Sequence, residues 1–509
     1  MARPPQVGVV QDDVHEKGLS GGSVGLWGSV TLGVSSVAPA YALTATLGIL
    51  AAAVAVKMPA VIVAGFIPMF LTAYAYRELN RAIPDCGTSF TWATKAFGTY
   101  VGWMCGWGAI IATVIVLSNL AGVAVSFFYL FIARITGIES IAELAADKIV
   151  NIVTCVAFVA AATFVAYRGI TTTKRVQVAL VVFQMVVLAM FVIAAFAGAT
   201  ASPTAIAFEW DWFNPFTGLT LTAFTAGLIG SIFAFWGWDT CLTVNEESTD
   251  LDRTPGRAAV VTVVLILVSY LLVGIAAMVY AGVGTDGLGL GNEETSDNVF
   301  GALAEPVLGP WASMLLFLAV LASSAASLQT TFLPPARTLL AMGVYRAVPA
   351  RFARIHPRFL IPSYATLACG IGTAVFYSLL TLLSESVLSD TILTLGIMIC
   401  FYYGLTAFAC VWYFRKELFR NRFNFVFKFL FPLLGAVMLT VVFVISMIDS
   451  YDPANGSGAA VGGVGLVFVL ALGLLVLGAG LMVIQRVRDP EFFIGGTLRR
   501  DTPALIVPE

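Results

Sequence analysis

"GVSSVAPAYAL", residues 33–43, lies in an apolar run that carries no charge between Lys17 and Lys57. Hydrocarbon offers no hydrogen-bond partners, so a helix in a bilayer normally keeps its backbone bonds to itself. Pro39 removes one donor and clashes with the carbonyl four residues back. Ser35 and Ser36 compete locally for the same backbone groups. Ser36, three residues before Pro39, suits the N-cap of a new half-helix with proline in its first turn. The stretch therefore reads as two helix ends meeting inside a membrane, with a plain proline kink as the alternative.

A second stretch repeats the pattern: "GLIGSIFAFWGWDTCLTVNEES", residues 227–248. Gly237 between Trp236 and Trp238 is the weak point, and Asp239 looks like the cap of a half-helix running on to the far face. Between and around the two lie long apolar runs. The 509 residues are 59% hydrophobic and 11% charged, well under the charge of a soluble domain. A crossing helix needs about 20 apolar residues. Twelve stretches qualify: 25–53, 58–80, 99–132, 148–168, 176–199, 217–245, 257–283, 306–333, 362–384, 389–414, 426–448 and 460–485. Placing the N-terminus inside puts most Arg and Lys on one side, from Arg77 and Arg81 to Arg499 and Arg500, and leaves Lys57, Arg134 and Lys148 outside. By the positive-inside rule both termini are cytoplasmic. The N-terminal residues "MARPPQVGVVQDDVHEKGLSGG" read as a mobile polar tail without a signal-peptide pattern.

The two interruptions are five spans apart. Paired breaks at corresponding positions point to an inverted-repeat transporter with its site at the midplane. No metal set, nucleophile–base pair or nucleotide loop stands out, so enzyme activity is not expected. The net charge of −2 gives no footprint for nucleic acid. The cysteines are scattered and read as small buried hydrophobes.

The chain also resembles the amino acid–polyamine–organocation superfamily of permeases over about residues 20–450. "FAFWGWDTCLTVNEES" is similar to the family's sixth span. "PPARTLLAMGVYRAVPARFARIHPRFLIPSYA" resembles the segment after span eight, and "RGITTTKRVQVAL" the basic loop entering span five. The resemblance implies an all-α integral membrane protein with the leucine-transporter fold. That fold has two inverted five-helix repeats, twelve transmembrane helices in all, and helices one and six discontinuous. The divisions are a cytoplasmic tail (1–22), a first repeat (23–200), a second repeat (201–418), two peripheral spans (419–487) and a cytoplasmic tail (488–509). It implies secondary transport of an amino acid or small organic amine across the plasma membrane. Ion-coupled import is the leading expectation. An uncoupled exchanger and a non-transporting receptor with the same fold are the alternatives, and the oligomeric state, monomer or homodimer, is left open.

The candidate site follows from the breaks. N–H groups from Ser36 to Ala38, with the hydroxyls of Ser35 and Ser36 and the backbone of Val37, are the expected cradle for a carboxylate. Carbonyls near Ala234, Phe235, Trp236 and Gly237 would accept from an ammonium, and Phe235, Trp236 and Trp238 would form a lid. The family's glycine run in span one is absent here, which weakens the carboxylate assignment and makes room for an amine substrate beside an α-amino acid. Asp239, an intramembrane carboxylate, would pair with a substrate amine, carry a coupling proton or only cap its helix. Ser118 and Asn119 in span three and Tyr402 in span ten are expected to line the same cavity. Glu246 and Glu247 are inner-gate candidates. No cofactor is expected beyond Na+ or H+ as the coupling ion. In sodium-coupled relatives a span-eight serine and carbonyls of span one form the ion site, which implies Gly33, Val34, Ser323, Ser324 and Ser327 here. The span-five lysine of proton-coupled members aligns with Gln184, which cannot titrate.

Overall fold

The computed structural model describes residues 17, 19, 22, 24–168, 174–383, 387–455 and 458–503. Most of the expected N-terminal tail, residues 169–173 of the basic loop and residues 504–509 lie outside the described residues. Span one is two helices, α1 (Leu26–Val37) and α2 (Pro39–Val54). Spans two to five are α3 (Met58–Ala82), α5 (Thr99–Thr136), α7 (Lys148–Arg168) and α8 (Lys174–Gly198). The short helices α4 (Ser89–Phe97) and α6 (Ser140–Glu143) lie among them. Span six is α9 (Leu221–Ala234) followed by the single turn α10 (Thr240–Thr243), and span seven is α11 (Thr254–Ala281). Spans eight to ten are α12 (Val299–Thr331), α14 (Ser363–Leu383) and α15 (Val387–Tyr413), with α13 (Leu333–Val344) on the face between. The short α16 (Arg422–Asn424) leads into α17 (Phe431–Asp449). A small hairpin, β1 (Ala460–Val461) and β2 (Val464–Gly465), precedes α18 (Leu466–Arg488).

Every expected span thus falls on helix, with three local differences. α12 contains Gly309 at φ 77°, ψ 172°, which kinks the helix close to the start of the expected 306–333 span. The first residues assigned to span twelve are the hairpin. The second half of span six is not one continuous helix but one α-turn (Thr240–Thr243), then a 3-10 turn at Asn245–Glu247. It stops there because Val24 N–H takes the Glu247 carbonyl (3.0 Å) and Thr249 N–H takes the Val24 carbonyl (2.9 Å), which turns the chain into a short bridge.

Packing sorts the helices into two groups. α1, α2, α3, α9 and α11 pack on one another, while α5, α12, α14 and α15 form a second body that receives α7 and α8. The first group holds both interrupted spans, and the interruptions meet. Gly237 has φ +109°, and a Cβ added there would stand 3.0 Å from the Ser36 carbonyl carbon and the Val37 nitrogen. Both the backbone conformation and the close approach of another main chain require glycine. Gly237→Ala is expected to destabilise by about 1–3 kcal/mol, read as a lowered Tm of the detergent-purified protein. Gly230→Ala is the control: its added Cβ meets only ordinary contacts at 3.5 Å, so its Tm should stay close to the parent's.

Candidate functional site

The first break is a single residue. Ala38 adopts φ 55°, ψ 69° between the end of α1 and Pro39, which sits at the first position of α2. A residue before proline is disfavoured in the helical region, and proline at the first helical position forfeits no bond. This corrects the expectation for Ser36 as N-cap. Ser36 stays in the last turn of α1, and Ala38 N–H bonds back to the Val34 carbonyl (3.0 Å). The donors expected from Ser36 to Ala38 therefore belong to the end of α1. Those offered by the new half-helix are the first-turn N–H groups of Ala40 and Tyr41, the latter 3.5 Å from Ser323 Oγ.

The second break runs from Phe235 to Asp239. The Ala234 carbonyl, expected to accept from a substrate, takes the Tyr270 hydroxyl at 2.6 Å. Phe235 packs against Phe66 and Tyr270 (5.9 and 5.3 Å between centroids), so its ring joins spans two and seven rather than covering the break. Trp236 Nε1 donates to Tyr402 Oη at 2.5 Å, tying span six to span ten. Trp238 lies against Tyr76 (5.0 Å) and Tyr403 (5.2 Å). Asp239 occupies the cap position of α10 but its side chain makes no capping bond. It is buried beside Tyr402 and Tyr403. Its Oδ1, Trp238 Nε1, Tyr403 Oη and Tyr41 Oη are buried without a hydrogen-bond partner among the described residues. Buried polar atoms of this kind call for a reason, and four of them flank the two breaks.

A second network binds α1 to the other helix group. Ser327 Oγ donates to the Ser36 carbonyl (2.8 Å), and Ser36 Oγ is hydrogen-bonded to Thr240 (2.8 Å) and Thr331 (3.3 Å). Ser35 Oγ donates to Gln177 Oε1 (2.7 Å), whose amide reaches the Ala326 carbonyl (3.2 Å). The span-five side chain between spans one and eight is thus Gln177, not Gln184. Gln184 lies two turns further on, and both its polar side-chain atoms lack a partner among the described residues. Ser324 Oγ is likewise buried without one. Gly33 sits where α1 meets Cys241 and Thr262. Among the described residues, the hydrogen bonds of Ser118 and Asn119 do not go to the breaks. Ser118 Oγ bonds to Ile115 in its own helix. Asn119 Oδ1 accepts from Thr391 (2.6 Å), and Asn119 lines a separate cavity of about 480 Å3 with Tyr377 and Lys148.

The Arg- and Lys-rich face carries a cluster of paired charges. Lys17 Nζ stands 2.6 Å from Asp85 Oδ2 and 2.7 Å from Glu246 Oε1. Asp85 also accepts from Thr91 Oγ1 (2.7 Å), Gly87 N–H (2.8 Å) and Tyr345 Oη (2.9 Å). Glu246 Oε1 also accepts from Cys86 N–H (2.8 Å). Burial alone would push the Asp85 carboxyl up, but the Lys17 ammonium and these hydrogen bonds hold it below its ordinary value. Burial would likewise lower Lys17, and the surrounding carboxylates, Asp85 foremost, hold it well above. Ligand atoms of Asp85, Cys86 and Glu246 lie within 4.8 Å of one another, and the cation between the carboxylates is Lys17 itself. Glu247 forms a buried pair with Arg337 at 2.8 Å. Lys17, Asp85, Tyr345 and Gln177 went unmarked in the sequence. Asp85, an acid in the turn "IPDCG" between two spans, was the signal available. The expectation of a mobile tail fails at Lys17, which is buried.

The fold and these breaks define an integral membrane protein of the leucine-transporter class. The model of the amino acid permease family matches residues 24–477, and the chain belongs to that family. An uncharacterized transporter of Mycobacterium tuberculosis is 27% identical over 60% of this chain and 62% of its own length. The "Cationic amino acid transporter 3, mitochondrial" of Arabidopsis thaliana is 25% identical over 60% of this chain and 49% of its own. The match to these relatives therefore spans less than two thirds of their length. The crystal structure of MhsT in complex with L-phenylalanine aligns with a TM-score of 0.60 at 13% identity, over 84% of this chain and 99% of that one. That likeness concerns the fold.

Breaking a buried pair leaves an uncompensated charge and costs about 3–5 kcal/mol. Arg337→Leu is expected to lower stability by that amount. Arg337→Leu combined with Glu247→Leu should recover most of it, measured by thermal unfolding of the two variants side by side.

Proposed function

We propose that this chain is a secondary transporter that moves an amino acid or a small organic amine across the plasma membrane by alternating access, with both termini cytoplasmic. The observation that carries the reading is the meeting of the two breaks, Gly237 against Ser36 and Val37, with buried unpartnered groups beside them. The first turn of α2 would hold a substrate carboxylate. The Asp239 carboxylate, backed by Trp238 and Tyr403, would take its ammonium. The basic face, with Glu247 in a buried ion pair and the partly buried Glu246 paired to Lys17, is the inner gate in this reading. Two cavities of about 480 and 500 Å3 lie on the opposite face. The name of the Arabidopsis relative fits a cationic substrate for Asp239.

Coupling to an ion gradient would run through one of two places. Asp239 would carry a proton, or Ser323, Ser324 and Ser327 with the Gly33 and Val34 carbonyls would hold Na+. A second reading is uncoupled exchange: the Gln177 bridge between spans one, five and eight contains only neutral amides, hydroxyls and a carbonyl.

The test is uptake of labelled amino acids and amines into proteoliposomes under separately imposed Na+ and H+ gradients. The coupled reading expects accumulation with one gradient. Flux that needs only internal substrate supports exchange. Binding with no flux for any compound would overturn transport. Asp239→Asn should lower uptake of cationic substrates at least tenfold, and unchanged KM and rate in that variant would remove its proposed role.

A further inference from the structure

The chain does not hang free after α18. Phe492, Phe493 and Leu498 are buried in a cluster with Phe90 of α4, Trp103 of α5, Met342 of α13 and Tyr345. Thr99 Oγ1 donates to the Phe493 carbonyl (3.2 Å), and Lys95 of α4 donates to the Thr502 carbonyl. Thr497 Oγ1 donates to the Tyr345 carbonyl (2.5 Å), a buried bond. Gln485 near the end of α18 reaches the next carbonyl, that of Arg346 (3.4 Å). These two bonds bracket a turn in which Arg346, a non-glycine, holds φ +61°. Such a backbone persists only where its surroundings over-determine it.

Tyr345 is the point at which this segment touches the Lys17 cluster. Its hydroxyl donates to Asp85 Oδ2, the same oxygen that binds Lys17, and its ring centroid lies 5.8 Å from Lys17 Nζ. The segment also packs on Phe90 (5.5 Å from Phe492), in the helix that follows Asp85. It therefore holds both sides of the cluster: the turn that carries Asp85 and the ring that completes it.

We propose that residues 489–503 brace the inner gate, with Thr497 and Tyr345 as positioning residues that act through Asp85 on Lys17. The inference rests on reading the Lys17 cluster as that gate. Opening toward the cytoplasm separates Lys17 from Asp85 and Glu246, and the brace makes that separation rarer. Release of the segment, by a partner or by truncation, then raises the inward-open population and with it the rate of substrate release inside.

Cys86 is a built-in reporter. It is fully buried in the cluster, its N–H held by Glu246. The full-length protein in inside-out vesicles is treated with a membrane-impermeant maleimide, and labelling of the Cys86 peptide is followed by mass spectrometry. Loss of one hydrogen bond corresponds to about a two- to tenfold change in such an equilibrium. Thr497→Val and Tyr345→Phe should each raise the Cys86 labelling rate by that factor. Thr497→Ser should keep the parent rate, and Lys17→Met should raise it at least as much as either. A faster rate for Lys17→Met, with Thr497→Val and Tyr345→Phe at the parent rate, would overturn the brace and leave the gate standing. Parent rates in all of them would overturn the gate as well.

Discussion

A bilayer cannot satisfy an open backbone, and everything distinctive in this protein follows from that constraint. The chain breaks two helices at the depth where breaks are least tolerated and closes each against the other. The contact is main chain on main chain, made possible by the missing side chain of Gly237. Around it the remaining backbone and hydroxyl groups find partners from four directions: Tyr270, Thr240, Ser327 and Gln177. Among the described residues, Tyr41, Trp238, Asp239 and Tyr403 each keep a buried polar atom without a partner at or beside the breaks, and others of this kind lie elsewhere in the fold.

The second dependence is electrostatic. The break in span six ends after one turn of helix, and its two glutamates go to different partners. Glu247 pairs with Arg337, and Glu246 shares Lys17 with Asp85. The Glu247–Arg337 and Lys17–Asp85 pairs are buried, where a charge without its partner is costly, and Glu246 is partly buried. On the basic face these specific ion pairs stand beside a buried apolar cluster that includes Phe90, Met342, Tyr345 and Phe492.

The spans, the two breaks and the residue types at them were legible because each has a local cause. Apolar length sets the spans, Pro39 breaks the first helix and Gly237 the second. Details that depend on the third dimension were not legible. Pro39 implied a break but not that Ala38 alone would absorb it in a left-handed conformation. The polarity of Asn119 suggested the midplane site, whereas its helical phase turns it toward Thr391 and another cavity. Aligning span five with the family's lysine position pointed to Gln184, while the hydrogen-bonded bridge to spans one and eight is made two turns earlier by Gln177. Lys17 looked like one charge in a polar tail. Its partners Asp85 and Glu246 are 68 and 229 residues away in sequence, beyond the reach of any local pattern.

The central claim is that the substrate binds where the two breaks meet. The most direct measurement is an experimental structure of the full-length protein saturated with a compound shown to bind it. Ligand density is expected between the first turn of α2 and Asp239, within hydrogen-bond distance of Ala40 N–H or the Asp239 carboxylate. Ligand density only in the cavity lined by Asn119, Lys148 and Tyr377, with the breaks unchanged, would contradict it.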